Sequence, residues 1–195
     1  MKNLWKSLKL TLAFCILFSV LYIFVLWVFA KAVGPNGGNA EVVLVDGKVV
    51  GAANVGQTFT RDIYFWGRPS SAGEGYDASG SAGSNKGATN PEYLREVEVR
   101  IDTFLRRHPY LQCCDVPAEL VTASGSGLDP DISKEGAYVQ IKRVAAARGM
   151  SEEAVRAVVE AQVRGPLLGL FGPASRVNVL KLNVALDQAQ KSLKR

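Results

Sequence analysis

Histidine and cysteine are scarce in this 195-residue chain, which has one histidine and three cysteines. A zinc site needs three or four nitrogen or sulfur ligands, and neither His108 nor the cysteines are spaced to supply them. Cys15 lies in an apolar run, and Cys113 and Cys114 are neighbours, so a bridge between the latter two would strain disulfide geometry. We therefore predict neither a metal site nor a disulfide framework.

Acidic residues are missing from residues 1–32, which hold four lysines. Most of the net charge of +5 arises there, because basic and acidic residues nearly balance in the rest of the chain. Binding to nucleic acid by counterion release needs a concentrated basic face. A balanced body does not demand one, so nucleic acid is not an expected partner.

Charge of either sign is missing from Leu10 to Ala30. A helix over this run is about 31 Å long, close to the roughly 30 Å hydrocarbon core of a bilayer. Lys2, Lys6 and Lys9 precede the run and form the closer lysine cluster, which the positive-inside rule places in the cytoplasm. We predict that residues 1–32 form a cytoplasmic N-terminus and a transmembrane helix in contact with lipid of the inner membrane.

A cleaved signal peptide is the alternative, because Ala30-Lys31-Ala32 matches a small-x-small cleavage site. The apolar region of a signal peptide runs about 7 to 15 residues, and this one is longer. The length favours an uncleaved, single-pass anchor with the main domain outside.

The remaining residues predict a flexible linker at 33–40 and one external α+β domain at 41–195. The linker contains "GPNGG", a breaker sequence. Two β-branched runs joined by Asp46-Gly47 then predict a hairpin with a type I′ turn. The sheet is therefore expected to be small, and packed helices supply the rest of the domain.

Polar capping residues predict where the helices of this domain begin. The predicted caps are Asn90, Ser133, Ser151 and Asn178. The first helix is expected to stop at Pro109 and to bury one stripe that includes Leu94 and Phe104, and the second is expected to run from Ser133 to about Arg148. The stretch 67–90 is rich in Gly, Ser, Ala and Asn, so we predict a long loop there.

The stretch "VTASGSGLDPDIS" at 121–133 resembles a phosphate-binding loop only superficially. It lacks the lysine of a Walker A loop, and Pro130 stands where the dinucleotide fingerprint has its third glycine. Its serines also lack the G-x-S-x-G frame of a nucleophile. A structural turn that leads into a helix is the favoured interpretation. An external hydrolase using Ser124 or Ser126 with Asp129 is one alternative, and a solute-binding module built on the 67–90 loop is another.

Several unusual peptides occur together and in order along the chain. They are "YFWGRPSS", "GSNKGATNP", "VPAELVTASGSGLDPDIS", "QIKRVAAARGM" and "RVNVLKLNVALD". Together with the single N-terminal span, they resemble the KdpC family, the small subunit of the bacterial Kdp potassium-transporting P-type ATPase.

The resemblance implies a non-catalytic subunit of an ATP-driven, high-affinity potassium uptake complex. Its implied partners are a channel-like potassium-translocating subunit and a P-type catalytic subunit. The implied role of this chain is to stabilise the complex and to promote ATP use by the catalytic subunit. No cofactor is expected to bind this chain tightly, because ATP and potassium belong to the assembled complex. An external domain does not meet cytoplasmic ATP, so such an effect would have to pass through the partner subunits.

The resemblance also implies two sets of site residues. A nucleotide-related role falls on Ser124, Gly125, Ser126, Gly127 and Gln140. Candidates for partner docking are Phe65, Trp66, Gly67, Arg68, Pro69, Ser84, Asn85, Asn90, Pro91, Asp129, Pro130 and Asn178.

Overall fold

The structure is a computed structural model that describes residues 2–166, 168–172 and 174–193. The chain divides into two compact units, one ending at Glu41 and the other beginning at Val42. The α+β class predicted from the sequence is confirmed. The helices are α1 (Lys2–Ile16), α2 (Ile23–Val33), α3 (Pro91–Arg107), α4 (Lys134–Tyr138), α5 (Ile141–Arg148), α6 (Glu152–Gln162) and α7 (Val179–Leu193). The strands are β1 (Val42–Val45), β2 (Lys48–Ala52), β3 (Asp131–Ile132), β4 (Val163–Arg164) and β5 (Arg176–Asn178).

The first unit is one long helix followed by a turn. A π-helical stretch, Leu17–Tyr22, joins α1 to α2, and the helical residues Lys2–Val33 are long and apolar enough to cross a membrane. Its side chains are not buried within the chain, as expected when lipid is the solvent. The helix ends where the Gly34 amide donates to the Ala30 carbonyl, and a short 3-10 turn, Pro35–Gly38, follows.

The second unit begins with the predicted hairpin. Strands β1 and β2 pair antiparallel, and Asp46 and Gly47 at the turn both have positive φ, of 50° and 76°. That is the backbone of a type I′ turn, so this prediction is confirmed. A second sheet, in the order β3-β5-β4, is antiparallel throughout and was not predicted.

Helix α3 begins at its predicted cap. The Asn90 side chain accepts hydrogen bonds from the amides of Glu92 and Tyr93, and Pro91 occupies the first helical position. The predicted buried stripe is wrong at its start, because Leu94 is 47% exposed whereas Phe104 is buried. The helix packs on the core through its C-terminal half, so its first turns face away from the core.

The helix predicted from Ser133 to Arg148 is two helices, α4 and α5. The backbone amide of Gln140 donates to the Ala137 carbonyl, three residues back. In a continuous helix it would donate to the Gly136 carbonyl, and here the Gln140 side-chain nitrogen donates to that carbonyl instead. The chain thus turns at Gln140 without leaving that carbonyl unsatisfied. The Ser133 cap itself is confirmed by its bond from the Gly136 amide.

The rest of the helical layer follows the predicted boundaries. Gly149 ends α5 in the left-handed conformation, and Ser151 caps α6 through the Ala154 amide. Asn178 caps α7 by accepting from the Lys181 amide. The core lies between these helices and the β3-β5-β4 sheet, and its fully buried members include Phe65, Ile132, Ile141, Val144, Val155, Val159, Val177, Leu182 and Leu186.

Candidate functional site

A segment without regular secondary structure, 62–66, crosses the helical layer and is held by side chains. Each of its five carbonyls accepts a hydrogen bond from a side chain of α5, α7 or the turn before α5. The donors are Arg143 to Asp62 (2.6 Å) and Tyr64 (3.0 Å), Arg148 to Ile63 (2.5 Å), Asn183 to Phe65 (3.0 Å) and Gln140 to Trp66 (3.1 Å). The helices therefore supply the bonds that a neighbouring strand would supply in a sheet.

Two buried amides fix the end of this segment on both sides of the backbone. The Asn183 and Gln140 side-chain nitrogens donate to the carbonyls of Phe65 and Trp66, and the oxygens of the same side chains accept from the amides of Phe65 and Trp66, both at 2.8 Å. Neither amide side chain is accessible to solvent, and the Gln140 oxygen also accepts from Arg143 at 2.8 Å. The backbone direction at Trp66, where the next loop begins, is thereby set by the core.

A neutral histidine and a buried arginine support the same segment. The His108 Nδ1 faces the Phe104 carbonyl at 2.7 Å, and Arg143 Nε donates to His108 Nε2 at 2.9 Å, so the partners assign the proton to Nδ1. Burial lowers the pKa of His108 to about 4 and the pKa of Arg143 to about 10. The Arg143 guanidinium also lies 4.2 Å from the centre of the Trp66 ring, a cation–π contact.

The glycine stretch at 124–128 is bonded to neighbouring loops through its carbonyls. The Ser126 carbonyl accepts from the Ala82 amide at 3.0 Å, and the Gly127 carbonyl accepts from the Ser70 hydroxyl at 2.6 Å. The Gly127 amide donates to the Ser124 hydroxyl, and the Leu128 amide donates to the Ser126 hydroxyl. A phosphate cradle needs converging free amides, and these two amides are engaged within the loop.

The loop at 67–90 packs against this glycine stretch. Ser70 lies at the centre, because its hydroxyl also accepts from the amides of Ala72 and Tyr76. The Tyr76 hydroxyl donates to the Arg68 carbonyl at 2.5 Å, and Arg68 pairs with Asp129 at 3.0 Å. Burial, and then the nearby Asp129 carboxylate, raise the pKa of Tyr76 to about 12, so the tyrosine keeps its donating proton.

An open groove of about 440 Å³ lies beside this loop, mostly lined by apolar atoms. Its walls are the segment Gln57–Thr60, the residues Trp66–Ser70 that the buried amides position, the stretch Glu74–Tyr76, and α3 through Thr103 and Arg107. The residues Gln57–Thr60 lie outside any helix or strand and make no backbone hydrogen bond within the described part of the chain. The groove thus has a rigid wall on one side and free backbone donors and acceptors on the other.

The structure separates the predicted docking residues into three groups. Trp66, Gly67, Arg68 and Pro69 line the groove. Ser84, Asn85, Asn90 and Pro91 lie on or beside the 67–90 loop, where Asn85 and Pro91 are exposed, and Asp129 contributes to a second, polar pocket. Phe65 and Asn178 are buried, and the Pro130 carbonyl accepts from the Val179 amide at 2.9 Å, so these residues support the fold in the free chain.

The residues of the hydrolase alternative are engaged elsewhere. The Ser124 and Ser126 hydroxyls bond amides of their own loop, and both ring nitrogens of His108 are bonded to Phe104 and Arg143. A histidine with a pKa of about 4 is a weak base near neutral pH. Among residues 2–166, 168–172 and 174–193, no group of three His, Cys, Asp or Glu side chains is placed to hold a metal ion.

Sequence reasoning did not predict the supporting residues Ser70, Tyr76, His108, Arg143 and Asn183. Arg143 lies within the unusual peptide "QIKRVAAARGM" and Asn183 within "RVNVLKLNVALD". Their presence in these peptides was the only sequence feature that could have pointed to them. The carbonyls of the 62–66 segment to which they donate are about 80 to 118 positions away in the chain, so no local pattern reveals this contact.

Comparison with known proteins gives one consistent result. Residues 4–188 match the KdpC family, described as the K+-transporting ATPase, c chain. Similar proteins named "Potassium-transporting ATPase KdpC subunit" include one from Bacteroides fragilis, 70% identical over 96% of this chain and 98% of its own length. Another from Phocaeicola vulgatus is 68% identical over 97% of this chain and 100% of its own length, and one from Caldanaerobacter subterraneus is 43% identical over 97% of each. The family resemblance carried by the five peptides is thus confirmed, and the chain belongs to the KdpC family of the K+-transporting ATPase.

Proposed function

We propose that this chain is a non-catalytic, single-pass subunit that stabilises an ATP-driven potassium uptake complex and promotes ATP use by a P-type catalytic subunit. The observation that carries the proposal is the family match over nearly the whole chain. The N-terminal helix anchors the subunit in the inner membrane, and the lysines before it favour a cytoplasmic N-terminus with residues 41–195 outside.

The groove beside the 67–90 loop is where the second unit docks on a partner subunit. Its wall at Gln57–Thr60 offers backbone donors and acceptors without partners in the described chain, and such a wall suits an extended segment that adds as a strand. The apolar lining supplies the burial that an inserted side chain needs. The occupant is therefore an extended, partly apolar segment of a partner subunit's external surface.

Promotion of ATP use then acts through the assembly. An external unit does not contact cytoplasmic nucleotide, so its effect is a preference for one conformation of the partner subunits, to which ATP affinity is linked. The engaged state of the Ser124–Leu128 loop and of Gln140 favours this indirect route over contact with nucleotide.

The experiment fills the groove with a bulky side chain. Thr103 lines the groove and is exposed on α3, so Thr103→Trp leaves the fold intact and obstructs the occupant. We expect co-purification of the partner subunits to fall about tenfold, a loss typical of blocking an interface anchor, and potassium-stimulated ATP hydrolysis to fall with it.

The matched control is Asp102→Trp, on the exposed neighbouring position of the same helix outside the groove. It should assemble normally. If deleting the whole chain left complex assembly and potassium-stimulated hydrolysis intact, the proposed function would be wrong. If deletion abolished both and Thr103→Trp had no effect, the function would stand and the groove would be excluded as its docking surface.

A further inference from the structure

The connection between β4 and β5 exposes large apolar side chains to solvent. Leu168 is 82% exposed, Leu170 is 80% exposed and Phe171 is 64% exposed. In the second unit these exposures exceed those of the exposed apolar residues on α3, Leu94 and Val99, at 47% and 63%. Clustered side chains of this kind mark a contact surface rather than ordinary surface variation.

Two arginines face each other at the base of the same connection. Arg164 on β4 and Arg176 on β5 are directly opposite in the antiparallel pair. Like charges in this position destabilise a sheet. Arg176 has a distant ion pair with Asp131 at 3.7 Å, whereas Arg164 is exposed and has no side-chain partner within the described residues. Arg164 is therefore the arginine suited to an anion from outside the chain, since Arg176 lies near the Asp131 carboxylate.

The connection itself contributes only basic charge, and the carboxylates near Arg176, which are Glu119, Asp129 and Asp131, belong to other segments. From Ala161 to Leu186 the charged residues are Arg164, Arg176 and Lys181. Apolar side chains thus occupy the tip, uncharged small residues come next, and arginines stand at the base. The interface of a bilayer has the same order, from acyl chains to phosphate groups.

We propose that the tip formed by Leu168, Leu170 and Phe171 inserts into the interface of an anionic phospholipid bilayer, with Arg164 binding lipid phosphate. The eight residues from Gly34 to Glu41 that join the two units span at most about 28 Å when fully extended. The span therefore keeps the tip at a high effective concentration near lipid, so a weak contact suffices. The proposal depends on membrane anchoring by the span and is independent of the groove and of ATP use.

The test uses the full chain alone, reconstituted in vesicles of phosphatidylethanolamine and phosphatidylglycerol. In a background with Cys15→Ala, Cys113→Ser and Cys114→Ser, Leu170→Cys carries an environment-sensitive fluorophore. We expect its emission to shift to shorter wavelength, and spin labels on the upper acyl chain to quench it at least about twofold more than a fluorophore on Ala147→Cys, since the tip lies at the acyl boundary. Ala147 is exposed on α5, an element that is not part of the β4–β5 connection.

A second variant tests the arginine contribution. Arg164→Gln should reduce lipid quenching at position 170 in anionic vesicles and have little effect in neutral ones, because the attraction to anionic headgroups is electrostatic. Leu168→Ser with Phe171→Ser should abolish the quenching while the unfolding transition is unchanged, since both side chains are exposed.

Two results would overturn the proposal. One is that aqueous iodide quenches position 170 as strongly as position 147 while the lipid quencher has no effect. The other is that the emission shift appears only when the other subunits are present and without lipid quenching, because the tip would then dock on protein.

Discussion

The side-chain amide of Gln140 is a structural support for the backbone at Trp66. It donates to the carbonyls of Trp66 and Gly136, and its oxygen accepts from the Trp66 amide and from Arg143. Gln140→Leu keeps the approximate volume and leaves these groups buried without partners, so we expect it to lower the free energy of unfolding by about 3 kcal/mol. Urea unfolding of the detergent-solubilised chain measures the change.

Gln188→Leu is the matched control, because Gln188 is exposed on α7. It should change stability by less than about 0.5 kcal/mol. If Gln140→Leu left the stability unchanged but the chain no longer promoted ATP use by the complex, the structural role would be contradicted and direct contact with nucleotide would be favoured.

His108 makes stability depend on pH. Burial lowers the pKa of His108 to about 4 from its ordinary 6.5, so between these values the unfolded chain binds a proton that the folded chain does not. Stability is then fully present above pH 6.5 and declines as the pH falls toward 4. The urea midpoint should decrease steadily as the pH is lowered from 7.5 to 5. Carboxylates are protonated mainly at lower pH, near their ordinary pKa of about 4, so they contribute little in this range.

The His108→Gln variant separates this effect from other titrations. It removes the ionisable ring, so its midpoints should be nearly level from pH 7.5 to pH 5 even if its stability at pH 7.5 is lower. A slope equal to that of the natural chain would assign the pH dependence to other groups.

At the scale of elements, the glycine loop provides a paired test of its role. A Cβ on Gly127 would lie 2.5 Å from the Ala82 carbonyl oxygen, and φ at this residue is 68°, whereas a Cβ on Gly125 would meet nothing within 4 Å. Gly127→Ala should therefore destabilise the chain by about 2 kcal/mol or more, and Gly125→Ala should be nearly neutral. Thermal unfolding followed by circular dichroism compares them, and equal effects would contradict the packing of 67–90 against this loop.

Elements coded by neighbouring residues could be predicted from the sequence. Asp46-Gly47 forms the hairpin turn, and Asn90, Ser133, Ser151 and Asn178 cap their helices, because a turn or cap depends on side chains within a few positions. The break at Gln140 was not predicted, because glutamine is common within helices. What distinguishes this glutamine is the hydrogen bond from its side chain to Trp66, 74 positions away. The β3-β5-β4 sheet was missed for a related reason, because its strands have two or three residues and pair across the chain.

The candidate site shows the same division. Its residues were named through a family resemblance, and four of them, Trp66, Gly67, Arg68 and Pro69, are consecutive in the sequence and line one groove. Their support from Arg143 and Asn183 depends on tertiary contacts that no spacing encodes. The composition of 67–90 predicted a loop, but its anchoring through Ser70 required the fold.

At the scale of the whole molecule, the orientation of the chain decides which route to ATP is physically available. Cys113 and Cys114 are exposed in the second unit and serve as natural reporters in a Cys15→Ala background. Because the lysines before the span favour a cytoplasmic N-terminus, we expect a membrane-impermeant maleimide to label these two cysteines in intact spheroplasts.

A cysteine-free chain carrying Asn3→Cys is the opposite control, and it should react only after lysis, since Asn3 precedes the uncharged run from Leu10 to Ala30. Labelling of Cys113 and Cys114 before lysis would mean that the second unit and cytoplasmic ATP lie on different sides of the bilayer. Any influence on ATP use must then pass through conformations of the partner subunits, as linkage requires. If the two cysteines reacted only after lysis, the topology would be reversed, and the glycine loop and its surroundings would share a compartment with ATP.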